Sequence, residues 1–112
     1  MANSERMAPV DITWLRMDAP TNPMVIVGVL MLEGPVDLER LERLLTTRIL
    51  AIPRFRQRIE ERLTGPWWSN DSHFNIDRHI KNVRLPGAGG RSELERFVAD
   101  LASQTLDQSR PL

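Results

Sequence analysis

The sequence predicts an α/β (α+β) domain, a mixed sheet covered by two main amphipathic helices, and three observations carry that prediction. A nine-residue run, Met24 to Leu32, is rich in β-branched residues and free of polar ones, the pattern of a strand covered on both faces. Leu38, Leu41, Leu44, Leu45 and Ile49 recur at spacings of three and four, and Leu94, Phe97, Val98 and Leu101 repeat that stripe later in the chain. Hydrophobic residues are 41% and charged residues 27% of 112 positions, near the globular average, which suits one domain or a piece of one.

In chain order, apolar residues at 12, 14, 15 and 17 give a short helix over Asp11–Met17. Residues 18 to 23, Asp-Ala-Pro-Thr-Asn-Pro, form a loop, because each proline steers the residue before it away from helical geometry. The strand Met24–Leu32 follows, with Gly28 expected to serve packing. Gly34-Pro35 ends it, and Asp37 is placed to accept from orphan amides at a helix start. The polar face of that helix carries Glu39, Arg40, Glu42, Arg43 and Arg48, with Glu39 and Arg43 as a favourable i,i+4 pair, and Pro53 sets its limit.

Arg54–Leu63 fits a helix or a strand. The strand reading puts Arg54, Arg56, Arg58 and Arg62 on one face, opposite Phe55, Gln57, Ile59, Glu61 and Leu63. That arginine face reads as solvated, its charge offset by Glu60 and Glu61, in preference to an anion site for a phosphate or lipid headgroup. Thr64-Gly65-Pro66 is a turn, and Trp67-Trp68, at the edge of a polar loop Ser69–Ser72, read as core anchors rather than an interface. Phe74–Leu85 is expected to be extended, with a further strand towards its end before Pro86. Pro-Gly-Ala-Gly-Gly at 86–90 matches neither G-x-G-x-x-G nor a P-loop and reads as a connector. Ser92 and Glu95 have the spacing of a capping box, and the tail Thr105–Leu112 stops without a closing element.

Composition excludes several functions. With 15 Lys or Arg and 15 Asp or Glu the net charge is zero, which removes the electrostatic case for nucleic acid as a partner. Without cysteine there is no disulfide framework, thiolate zinc site, iron–sulfur cluster or cysteine nucleophile. Met1 to Arg6 lacks a basic start and an apolar segment, so it does not read as a secretory signal, and the nine-residue apolar run falls short of the roughly 20 needed to span a bilayer. A cytoplasmic location is expected. His73 and His79, with Asp71 and Asp77 nearby, match no metal spacing and no nucleophile–base arrangement, and both histidines read as structural. Glu60 and Glu61 would point to opposite faces of a strand. No catalytic, cofactor-binding or metal-ligating residue is assigned, and composition and spacing alone stop at an α/β or α+β module.

Taken in order, a set of segments resembles the N-terminal part of the bacterial wax ester synthase/diacylglycerol acyltransferase family. They are Pro9-Val10-Asp11 with Trp14-Leu15; Asn22-Pro23-Met24 leading to Gly28; Pro53-Arg54-Phe55-Arg56-Gln57-Arg58; Trp67 or Trp68; Phe74-Asn75-Ile76-Asp77 with His79; Leu85-Pro86-Gly87; and Leu106-Asp107 with Ser109-Arg110-Pro111-Leu112. The resemblance implies a partial chloramphenicol-acetyltransferase-like, CoA-dependent acyltransferase fold. It implies transfer of a fatty acyl group from acyl-CoA, a co-substrate rather than a resident cofactor, to a long-chain alcohol or diacylglycerol. The family's catalytic signature, His-His-x-x-x-Asp-Gly, is expected about twenty residues beyond the Pro111-Leu112 element and does not occur in these 112 residues. The resemblance therefore implies residues 1–112 as the N-terminal part of the first domain, with the remainder of the chain as its partner, no activity alone, and peripheral contact with membranes or lipid inclusions. The competing readings are a non-catalytic module that binds a partner or itself through unpaired sheet edges, and a related condensation domain using a carrier-bound acyl group.

Overall fold

A computed structural model describes residues 4–111; Met1–Asn3 and Leu112, with the parts of the leader reading and of the Ser109–Leu112 element that fall on them, lie outside the described residues. Three strands, β1 (Ser4–Arg6), β2 (Gln57–Arg62) and β3 (Gly65–Asn70), form one sheet in the order β1-β3-β2, and both pairings are antiparallel. The sheet is thus antiparallel rather than mixed. Among the described residues three α-helices accompany it: α1 (Pro9–Met17), α2 (Leu38–Arg48) and α3 (Arg91–Ala102).

The β2–β3 hairpin pairs Gln57 with Asn70 through to Arg62 with Gly65, leaving Leu63 and Thr64 as the turn. Gly65 adopts a φ of 107°, a conformation that only glycine enters freely, and this lets a tight turn reverse the chain. Glu5 and Ile59 flank Trp68, and Arg6 and Glu60 flank Trp67, so the adjacent tryptophans stand on opposite faces. Trp68, Ile59 and Pro66 share the apolar face. Met7 extends it from the end of β1, donating its N–H to the Pro66 carbonyl at 3.1 Å, and at 3% exposure it is the buried hydrophobic core side chain among the described residues.

Several sequence expectations are corrected. Met24–Leu32 forms no strand: among the described residues no neighbouring strand supplies the ladder its backbone needs. Gly28 lies in the open, with nothing within 4 Å of where a Cβ would stand, so it serves no packing. Arg54–Leu63 divides: Pro53–Arg56 is a 3₁₀ turn, which Pro53 starts by supplying a preset φ, and pairing begins only at Gln57. Trp67, Trp68, Ser69 and Asn70 belong to β3 rather than to a loop edge. The third strand is β1, which lacks an apolar pattern, and not residues 74–85, where a short 3₁₀ turn at Ile76–Arg78 is followed by irregular chain.

Asp37 caps α2 as expected, its Oδ1 accepting from the Arg40 N–H at 3.1 Å. Helix α2 ends at Arg48, a turn short of Pro53. Glu39 and Arg43 do not close; the i,i+4 ion pair that forms lies on α3, between Arg91 and Glu95 at 2.8 Å. That pair overturns the capping box. Helix α3 starts one residue before Ser92, its N-cap is Gly90 with no side-chain cap, and Glu95 is taken by Arg91. The connector before it turns on Gly87 and Gly89, both at positive φ.

The accessible surface is 9286 Å², against roughly 6,300 Å² for a compact monomer of this mass. The radius of gyration is 16.6 Å, against about 13 Å for a compact chain of this length. Much of the excess is apolar: Ile26, Leu30, Met31, Leu32, Leu44 and Leu63 are all exposed.

Candidate functional site

The apolar face of the sheet, with α1 and the loop after it, frames an open pocket of about 170 Å³ lined by Met7, Trp14, Leu15, Met24, Ile59 and Trp68 among others. A cavity of about 150 Å³ lined by aliphatic groups holds one benzene, so this pocket accommodates a short length of hydrocarbon. Trp68 carries one polar atom into these surroundings, its indole N–H, which is buried and has no hydrogen-bond partner. An unpaired buried donor is costly, and it adds a polar atom to a lining that also includes Asp11, Asp18 and Gln108.

Asp18 holds the cavity's rim. Its Oδ1 accepts from the Met24 N–H at 2.8 Å and its Oδ2 from Gln108 Nε2 at 2.9 Å, so one carboxylate ties the start of the apolar run to the C-terminal tail, a contact spanning 90 residues. Asn22 Nδ2 donates to the Met17 carbonyl at 3.2 Å and closes the loop that Pro20 and Pro23 initiate. Arg16 clamps α1 to the sheet through a two-pronged bond to Glu61, at 2.7 and 3.2 Å, and this holds the Glu61 carboxyl below the usual carboxylate range. In the tail Asp107 accepts from the Ser109 N–H at 3.0 Å and its hydroxyl at 2.6 Å, which lowers its pKa and turns the chain so that Pro111 is buried.

The opposite face carries the charge. Arg58 and Arg62 share it with Glu60, while Glu61 points the other way, as strand alternation requires. Arg62 bonds Glu60 at 2.9 Å and covers the Trp67 ring at 4.5 Å; Arg6 lies over the same ring at 5.9 Å. The Glu60 pKa is lowered, first by the bond from Arg62 and then by one from Ser69. Arg54 reaches instead the Trp68 ring at 4.3 Å and pairs with Glu5. The four arginines therefore do not form one face: Arg54 and Arg56 sit in the 3₁₀ turn, Arg54 is spent on Glu5 and the Trp68 ring, Arg62 on Glu60 and the Trp67 ring, and only Arg58 shares the face of Arg62. The tryptophans anchor both faces.

The histidines do not converge. His73 lies in the loop, its backbone N–H bonded to Asp71 Oδ1 at 3.0 Å and its Nδ1 3.2 Å from the Ser72 hydroxyl. His79 stacks on Phe74, ring centroids 5.0 Å apart, over a small apolar cluster with Leu45, Ile49 and Ile80. Burial lowers its pKa, Arg110 lowers it further and Asp71 opposes them, so the ring is neutral at pH 7. Asp77 makes no bond to it and instead closes a turn on Asn75, whose Oδ1 accepts the Asp77 N–H at 2.9 Å. Among the described residues no three His, Asp or Glu side chains come together as metal ligands. The residues that sequence reasoning missed are Met7, Asp18 and Gln108; the one available signal was Asp18 and Asn22 enclosing a Pro-containing turn, a spacing at which short polar side chains bond nearby backbone.

The model of the wax ester synthase/diacylglycerol acyltransferase catalytic domain matches residues 7–112. The chain belongs to that family. Its relatives include a probable diacylglycerol O-acyltransferase, tgs3, of Mycobacterium tuberculosis, 32% identical over 96% of this chain and 42% of its own length. A putative diacylglycerol O-acyltransferase of the same organism is 33% identical over 99% of this chain and 24% of its own length. A third, from Mycobacterium bovis, is 34% identical over 85% and 22%. The chain thus spans less than half the length of the curated relatives it matches. No solved structure matches it. In this family member the matched segments have structural occupations: Pro9 opens α1, Asn22 and Met24 bond the Asp18 loop, Pro53 opens the 3₁₀ turn, and Asp107 turns the tail.

Proposed function

We propose that residues 1–112 are the N-terminal part of the first domain of an O-acyltransferase of chloramphenicol-acetyltransferase-like fold. Its reaction moves a fatty acyl group from acyl-CoA to a long-chain alcohol or a diacylglycerol. The observation that carries the reading is the family match over residues 7–112. The same residues contain no His-His-x-x-x-Asp-Gly, and neither His73 nor His79 has the company of that motif. His79, stacked on Phe74 with no carboxylate bonded to its ring, is a packing residue.

In the full enzyme the second histidine of the motif takes the proton of the acceptor hydroxyl as its oxygen attacks the thioester carbonyl. The carbon–sulfur bond breaks as the ester forms, and CoA leaves with the proton as the free thiol. Residues 1–112 contribute a scaffold to this chemistry: an antiparallel sheet, a hydrocarbon-sized pocket on one face and a neutralised arginine–tryptophan layer on the other. No helix among the described residues is long and apolar enough to cross a membrane. Contact with lipid is therefore peripheral in this reading, through the exposed apolar side chains.

The test is transfer of labelled palmitoyl from palmitoyl-CoA to hexadecanol or dioleoylglycerol. The 112-residue chain is expected to form no ester above background, and a polypeptide continuing through His-His-x-x-x-Asp-Gly to form it. Ester formation by the 112-residue chain alone, or a continuation that lacks the motif, refutes the reading.

A further inference from the structure

We propose that residues 26–32 become an interior strand of a larger sheet, and that the strands on both sides of it are supplied by the acyltransferase chain that follows residue 112. The inference rests on the reading of residues 1–112 as the N-terminal part of a longer enzyme. It begins with an uncovered surface. Met24 and Val25, the first residues of the apolar run, are half-buried at the pocket, and the Met24 N–H is bonded to Asp18. From Ile26 onward the side chains are bare, Ile26 at 101% exposure and Leu30 at 90%, and no strand among the described residues pairs with them.

The composition of residues 26–32 specifies an interior place. Strands at a sheet edge carry charges, prolines or bulges that discourage further pairing, and this stretch has no charge and no proline. Every position except Gly28 is a large apolar residue, which suits a strand covered on both faces. One cover is already at hand. Val29 and Met31 line an apolar groove of about 670 Å³ with Leu85, Leu94 and Val98, so α3 flanks those alternate positions, while Ile26, Leu30 and Leu32 are left open.

Three observations select the rest of the chain over a second copy. The molecule carries roughly 3,000 Å² more surface than a compact chain of its mass, where one partner of a standard interface gives up about 800 Å². That surplus has the scale of a domain opened through its core. The relatives carry the matched stretch within far longer chains, of which it makes up 42%, 24% and 22%. The tail, finally, is moored at the start of the run: Asp18 holds both the Met24 N–H and the Gln108 side chain, and Leu106 and Gln108 line the same pocket as Met24 and Val25. A segment that follows the tail sets out beside residues 26–32. Tethering of that kind gives an effective concentration in the millimolar range, whereas a second copy gives up its own translational freedom on docking.

Amide exchange tests the placement by comparing the 112-residue chain with the polypeptide that continues through His-His-x-x-x-Asp-Gly. In the 112-residue chain, amides 27–32 are expected to exchange near the free-peptide rate at every concentration. In the continuing polypeptide consecutive amides over the same stretch are expected to slow by at least about a hundredfold. Leu30→Lys is expected to leave the urea midpoint of the 112-residue chain unchanged, since Leu30 is exposed there, and to speed those amides at least about tenfold in the longer polypeptide. If that variant does not fold, the exchange pattern of the unmodified polypeptide decides. Amides 27–32 that stay fast in a longer polypeptide that forms ester overturn the inference and leave the acyltransferase reading standing. A gene product that ends at residue 112, or a continuation without the motif, overturns both. Slowing confined to alternate amides would put the run at a sheet edge, and slowing in the 112-residue chain that grows with its concentration would give the place to a second copy; either result overturns the inference.

Discussion

Asp18→Ala removes the one side chain that joins both ends of the apolar run's anchorage. Its carboxylate accepts from Met24 N–H at 2.8 Å and from Gln108 Nε2 at 2.9 Å, both partly buried. Hydrogen bonds to a charged acceptor contribute about 1.5–3 kcal/mol each, and taking the lower figure because water reaches both gives a loss of about 3 kcal/mol. A chain of this size has an m-value of about 1.5 kcal/mol per molar urea, so the unfolding midpoint is expected to fall by about 2 M. Gln108→Ala removes one of the two bonds and is expected to lower it by about 1 M. The three tryptophans report the transition by fluorescence, and amide exchange at Met24 reports the clamp itself, with protection lost in Asp18→Ala but kept in Gln108→Ala. A midpoint for Asp18→Ala within about 0.3 M of the unchanged chain, or equal losses from the two variants, would refute the clamp.

Met7→Ala empties the deepest position of the core and is expected to cost about 2–4 kcal/mol in urea unfolding, against less than about 1.5 for Met7→Leu. Asp37→Ala is expected to cost about 1 kcal/mol and Ser92→Ala less than about 0.5, since only the first is a helix cap; the opposite order in melting experiments would restore the capping box to α3. His79 titrates below its ordinary 6.5, so the stability it contributes is present above that pH and is lost as pH falls through the folded value; an NMR titration placing it above 6.5 would contradict the Phe74 stack and the Arg110 field. Glu61, held low by Arg16, contributes stability above its ordinary 4.5 that is lost as pH falls through its folded value, and Glu61→Gln is expected to flatten the acid limb of the stability profile, less so in high salt.

The elements legible in the sequence are those whose physics is local. Helix α2 was readable because Asp37 precedes a clean leucine stripe, and the β2 core followed from alternation of Gln57, Ile59 and Glu61 against Arg58, Glu60 and Arg62. The misreadings have one cause in common, a dependence on neighbours. Met24–Leu32 has the composition of a buried strand, but composition cannot say whether a pairing strand is at hand. Ser4-Glu5-Arg6 has no strand composition at all and is a strand because Trp67, Trp68 and Ser69 offer it a ladder. Ser92 and Glu95 satisfy the spacing of a capping box, yet Arg91 competes for the carboxylate and wins. Of the site, the family and the separation of Glu60 from Glu61 were readable; the cavity was not, because Met7, Trp14, Met24, Trp68 and Gln108 meet only after the tail folds back onto the Asp18 loop.

The open surface also sets how this molecule responds to temperature. Its unfolded chain would expose roughly 18,700 Å², so folding removes about half, where a compact protein of this mass removes about two thirds. The heat capacity released on unfolding scales with that difference, which brings it to about three quarters of the ordinary 12–15 cal/mol/K per residue. A smaller heat capacity flattens the stability curve, so the isolated chain is expected to melt broadly, and covering residues 24–32 is expected to sharpen the calorimetric transition as well as raise it.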